Sequence, residues 1–146
     1  MRSILAINYR VKKEPYVDSE AYPVKATKYI KENLDVKNIR LFNEYNYGSY
    51  LLLNDIPVFI DSRADLYTKQ FSGFDYDIFD DFEFMMGSYQ EKFEFYKITH
   101  VITRKEDSNF YTILNNDKNY KILYEDDNFA VYEKIGTSTV FINITK

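Results

Sequence analysis

Five consecutive apolar residues, Ile56-Pro57-Val58-Phe59-Ile60, run without a polar interruption into Asp61. A strand with one wet face alternates apolar and polar residues. A strand covered on both faces does not, so this run reads as a buried strand of a parallel sheet. That requires helices on both sides, and the flanking segments supply helical periods. Pro23 opens a helix whose Ala26, Ile30 and Leu34 form a stripe at spacing four. Tyr47 to Leu53 reads as a short helix. Met86, Tyr89, Phe93 and Tyr96 mark one face of a helix over 84–97. Asp107 or Ser108 is placed to cap a helix carrying Phe110, Ile113 and Leu114.

Short strands are expected near 39–42 and 98–103. Tyr120 to Tyr124 and Phe129 to Ile135, joined by Glu125-Asp126-Asp127-Asn128, read as an antiparallel hairpin. The order of elements predicts an α/β fold: a mainly parallel central sheet with flanking helices and an antiparallel C-terminal hairpin at one edge. The parallel core would use 39–42, 57–60 and 99–103. Residues 1–22 read as an extended arm and linker, 23–135 as a single domain, and 136–146 as an extension that adds a strand near 138–144.

One domain is the natural count for 146 residues. The absence of cysteine excludes a disulfide framework and thiolate chemistry. A formal charge of -4, with the densest charge acidic over Asp75 to Glu83, argues against a nucleic-acid partner. No run reaches the roughly 20 apolar residues of a membrane span. Fifteen Tyr and twelve Phe accompany heavy use of Lys, Asn and Ile, which reads as AT-rich coding. An aromatic sugar-binding surface is the sharper alternative, although Trp, which leads many such surfaces, is missing.

Asp61 stands where open α/β sheets place ligand groups, at the carboxyl end of a buried strand. Phosphatases of the haloacid-dehalogenase type also begin on an apolar strand ending in Asp, but need a second Asp two positions on. Arg63 occupies that position here, so Asp61 reads as a structural residue that caps the next turn or pairs with Arg63 or Arg104. The acids Asp75, Asp77, Asp80 and Asp81 are interrupted by Tyr76, Ile78 and Phe79 with no central Gly, which excludes a calcium loop of the EF-hand kind. His100 is the single histidine and reads as a core or edge residue. Phosphate-loop, dinucleotide and nucleophile-elbow motifs are lacking. We therefore expect no catalytic residue, metal ligand or cofactor in this chain.

Two segments carry a resemblance. Asn43-Glu44-Tyr45-Asn46-Tyr47-Gly48-Ser49-Tyr50-Leu51 is followed by Pro57-Val58-Phe59-Ile60-Asp61-Ser62-Arg63-Ala64-Asp65-Leu66-Tyr67. Together with Tyr96 to Ile102 and Leu123 to Tyr132 they resemble the C-terminal region of bacterial multi-pass proteins similar to dolichyl-phosphate-mannose-protein mannosyltransferases, of the GT-C type. The likeness spans about 23–134. Ser49 and Ser62 stand where glycine is usual in that family. The resemblance implies a water-exposed, non-catalytic accessory domain on the extracytoplasmic face. Its partners would be the membrane-embedded part of the parent protein and a sugar or lipid-linked sugar. Asn43, Tyr45, Asp61, Arg63 and Tyr67 are the candidate ligand-binding residues, with Arg63 suited to a phosphate or carboxylate. The alternatives are a Mg²⁺-dependent hydrolase or nuclease using Asp61 and Asp65 with help from Lys69, or a protein-interaction module.

Overall fold

The structure is a computed structural model that describes residues 17–136; the expected arm strand near 3–11 and final strand near 138–144 lie outside them. Helix α1 spans Val24–Asn33 and follows Pro23, whose φ of -78° suits a helix entry. Strand β1 is the pair Leu41–Phe42. A 3₁₀ turn, Tyr45–Tyr47, leads into α2, Gly48–Leu53. After a second 3₁₀ turn at Ala64–Tyr67 come two short helices, α3 at Lys69–Ser72 and α4 at Ile78–Glu83. Asp77 caps α4 by accepting the Asp80 N–H, so part of the acidic run is helix rather than loop.

The helix expected over 84–97 is divided. Met85–Ser88 is a 3₁₀ turn, and α5 occupies Tyr89–Phe95. Gly87 and Ser88 stand at the break, and both are weak helix formers. The expected inward face holds: Phe93 and Tyr96 are buried, and Met86 and Tyr89 are partly buried against the same cluster. Strand β2, His100–Arg104, precedes α6, Asn109–Asn116, whose cap is Ser108. The hairpin is present as β3, Tyr120–Glu125, and β4, Phe129–Lys134. Asp126 closes its turn by accepting the N–H groups of Asn128 and Phe129.

The sheet order is β1-β2-β4-β3. β1 and β2 are parallel, while β4 is antiparallel to both β2 and β3. The sheet is therefore mixed, which corrects the mainly parallel expectation. Of the expected parallel core, the β1–β2 pair is parallel. β4 lies between β2 and β3, antiparallel to both, so only one neighbouring pair is parallel. The hairpin is joined to the sheet through β4 and leaves β3 as the edge.

The second correction concerns 57–60, which forms no sheet strand. Pro57 has no N–H to donate. The segment is instead held by one side chain. Asn43 accepts the Phe59 N–H at 2.7 Å and donates to the Ile60 carbonyl at 2.8 Å, so its amide stands in for a strand partner. The continuous apolar run is still explained, because the segment is buried from two sides. Ile56 and Val58 join the cluster under α1, and Phe59 joins the cluster under α5 and α6.

β4 divides those clusters. Phe129 and Val131 face α1 and α2, whereas Ala130 and Tyr132 face α5 and α6. Such a strand, covered on both faces, has no polar side to show.

Candidate functional site

Strand β1 ends at Phe42, and the chain then turns through Asn43 and Glu44. These two neighbours serve opposite sides of the strand end. Asn43 reaches the 59–60 segment, as above. Gly48 allows that segment to come close: a Cβ there would lie 2.0 Å from the Ile60 carbonyl oxygen and 2.9 Å from the Asp61 Cα. Only a glycine fits, so α2 presses its first residue directly on the backbone that delivers Asp61.

Asp61 is fully buried. Its Oδ1 accepts the Arg63 backbone N–H at 2.8 Å and the Arg63 Nε at 3.0 Å. Its Oδ2 accepts Arg63 Nη2 at 2.5 Å and the Tyr67 hydroxyl at 2.9 Å. The bonds from Arg63 outweigh the cost of burial and hold the Asp61 carboxyl down at about 2, so it is ionised at neutral pH. Burial, and then the hydrogen bond to Asp61, push the Tyr67 phenol up to about 12. Tyr45 adds a further tie by donating to the Ser62 carbonyl at 3.1 Å. Ser49 and Ser62, the two departures from glycine, meet side chain to side chain at 2.8 Å.

All five sequence-derived residues therefore converge on one stretch, 59–63. Asn43 and Tyr45 bind its backbone, Arg63 and Tyr67 bind its carboxylate, and Asp61 is the hub. The guanidinium of Arg63 is locked on one edge by Asp61, while its side chain stays 57% exposed. The outward edge can meet an anion in the planar geometry that guanidinium favours.

The second hub was not legible in the sequence. Glu44 collects donors from three elements. The Tyr47 hydroxyl lies 2.8 Å from its Oε2, and the Arg104 backbone N–H donates to the same oxygen at 3.0 Å. The hydroxyls of Ser108 and Thr103 bond to Oε1. Tyr47 is fully enclosed, also contacts the Ile102 carbonyl at 2.9 Å, and is held well above the ordinary phenol range by burial and then by Glu44. This network ties the end of β1 to the end of β2 and the start of α6. It lines a cavity of about 500 Å³ that also touches Tyr45, Arg104 and Asn109. The carboxyl ends of two parallel strands meet here, where open α/β sheets bind ligands. A charged residue two positions after the β1 apolar pair was the available signal.

For the metal-hydrolase alternative, Asp61 and Asp65 would have to share a cation. Arg63 and Tyr67 already hold the Asp61 oxygens, and a cation would have to displace a guanidinium. Asp65 is exposed on the following turn, where its carbonyl accepts the Thr68 N–H and hydroxyl. Lys69 is exposed, and its backbone N–H donates to Asp77. Among the described residues no group of three or more His, Asp or Glu is arranged to hold a metal ion.

His100 is buried beside β4. Its Nδ1 lies 2.9 Å from the Thr99 hydroxyl, and its Nε2 is 3.9 Å from Glu133, which pairs in turn with Lys121. Burial is the largest influence on the imidazole and lowers its pKa.

No family model matches the chain, and neither does any curated protein or solved structure.

Proposed function

We propose that this is a water-exposed, non-catalytic accessory domain of a multi-pass membrane glycosyltransferase-like protein. On this reading it lies on the extracytoplasmic face, steadies the membrane part and helps hold an acceptor or a lipid-linked sugar. The observation that carries the reading is the closed shell of Asp61. The residue at the centre of the family-like segment has both oxygens occupied by Arg63 and Tyr67, so it shapes a surface loop instead of reacting. The outward edge of Arg63 is what that loop displays. Among the described residues no helix is long and apolar enough to cross a membrane, so any attachment would come from a separate part of the parent.

The test is expression of the complete reading frame that encodes this chain, followed by alkaline membrane extraction and a sugar-transfer assay. The protein should stay with the membranes. Arg63→Ala should weaken transfer without abolishing it. A reading frame free of apolar spans, with all protein in the soluble fraction, overturns the reading. So does phosphate-ester, nucleic-acid or glycoside hydrolysis with Mg²⁺ that Asp61→Asn removes.

A further inference from the structure

Strand β1 has one unused edge. The His100 N–H donates to the Arg40 carbonyl, which fixes the ladder so that Arg40 and Phe42 face β2. By alternation the N–H and C=O of Ile39 and Leu41 point the other way. No hydrogen-bond partner for these groups is found among the described residues. They face a cleft of about 340 Å³ between β1 and the 57–59 segment. Pro57 on the far wall cannot donate back.

The other walls are largely aromatic. Phe74, 49% exposed, lies flat on Tyr76 with centroids 5.1 Å apart and planes 9° apart. Phe59, Tyr67 and Tyr96 also line the cleft, together with aliphatic Ile78 and Ile98. Arg40 stands at the rim. Its Nε donates to the Tyr96 carbonyl at 2.9 Å, and its terminal nitrogens make no ion pair or hydrogen bond among the described residues. The cleft thus offers a flat apolar platform, a strand edge with alternating donors and acceptors, and a cation.

We infer that this cleft binds a saccharide, with preference for one that carries a carboxylate or phosphate. A pyranose has an apolar C–H face and a rim of hydroxyls that both donate and accept. The Phe74 and Tyr76 rings suit the first. The Ile39 and Leu41 backbone suits the second, and an anionic substituent matches Arg40. The volume is at the size of a small-ligand site. Tyr67 links this cleft to the loop already described, because its ring lines the cleft while its hydroxyl binds Asp61. The inference rests on the reading of the domain as an accessory to sugar transfer, but it is measured apart from membrane attachment.

The experiment is saturation-transfer and amide-shift NMR on the chain with glucose, glucuronate and glucose 1-phosphate, at millimolar to tens of millimolar concentration. All three sugars should receive saturation at their C–H protons and shift the Leu41 amide. The two anions should bind about tenfold tighter than glucose, a gap of about 1.4 kcal/mol. Arg40→Gln should erase that gap, and Phe74→Ala should weaken all three at least severalfold. Both residues are exposed, so both variants should fold. Absence of transfer from every sugar overturns the inference, as does binding unchanged in both variants. A Leu41 shift produced by an extended Val-Phe peptide and by none of the sugars would assign the edge to a peptide and also overturn it. Sugar binding by a chain whose reading frame lacks membrane spans would remove the accessory role and keep the cleft. A membrane-held parent whose cleft binds no sugar would do the reverse.

Discussion

Asp61 and Glu44 are two carboxylates close to the end of the same short strand, and they are satisfied in different ways. Asp61 is served mainly by a neighbour in sequence, Arg63, two residues away. Glu44 is served largely by residues about sixty positions on, at Thr103, Arg104 and Ser108. The first is a local loop device with a half-exposed cation at its rim. The second is a tertiary clamp that joins β1, β2 and α6. A charge paired with an exposed partner adds little to stability. A charge whose uncharged donors would be stranded without it adds more.

The contrast can be broken at several points. Gly48→Ala should have the largest effect, because its Cβ meets the Ile60 backbone oxygen at 2.0 Å. We expect a loss of about 3 kcal/mol in a urea titration, the upper end for overpacking. The damage should fall on the Asp61 side, visible as loss of the Arg63 side-chain NMR shift. Glu44→Ala should follow at about 2–3 kcal/mol, since it leaves hydroxyls and an N–H without their acceptor. Asp61→Ala should cost less, about 1 kcal/mol, because Arg63 can turn to water and only the Tyr67 hydroxyl and one backbone N–H lose their acceptor. Equal losses for Glu44→Ala and Asp61→Ala would mean that the local and tertiary hubs do not differ.

A pH profile sharpens the picture. The folded His100 has a pKa below its ordinary 6.5, so the unfolded chain binds the proton more readily. Stability should therefore fall as pH drops below about 6.5, and His100→Gln should remove that limb. The folded Asp61 titrates at about 2 against an ordinary 3.8. Its contribution should be complete above about 4 and lost as pH falls toward 2, a limb absent in Asp61→Asn. The smallest effect belongs to Asp65→Ala. With its side chain exposed, it should change stability by less than about 0.5 kcal/mol.

The same local-versus-distant division explains what the sequence disclosed. Asp61, Arg63 and Tyr67 lie within seven residues, and one strand-to-turn reading places them together. Asn43 and Tyr45 came from the resemblance, and their contacts span only 16 to 17 positions. Helix faces such as Phe93 and Tyr96 follow from period alone. Glu44 could not be found that way, because nothing near it says that β2 will lie alongside. The mainly parallel sheet failed for a related reason. Residue pattern shows that 57–60 is buried, but the side chain that replaces its strand partner is Asn43. The pattern also marks β3 and β4 as a hairpin without saying which of them meets β2.

That meeting has a consequence during synthesis. β4, the strand that bonds β2 on one side and β3 on the other, is the last described element to leave the ribosome. Until it emerges, β2 shows a bare edge and both clusters lack their dividing wall. Nascent chains interrupted between Arg104 and Phe129 would carry open strand edges and uncovered rings, the features that draw chains into aggregates. A pause that leaves this stretch outside the ribosome with β4 still inside should therefore be harmful, whereas a pause once Lys134 has emerged should be tolerated.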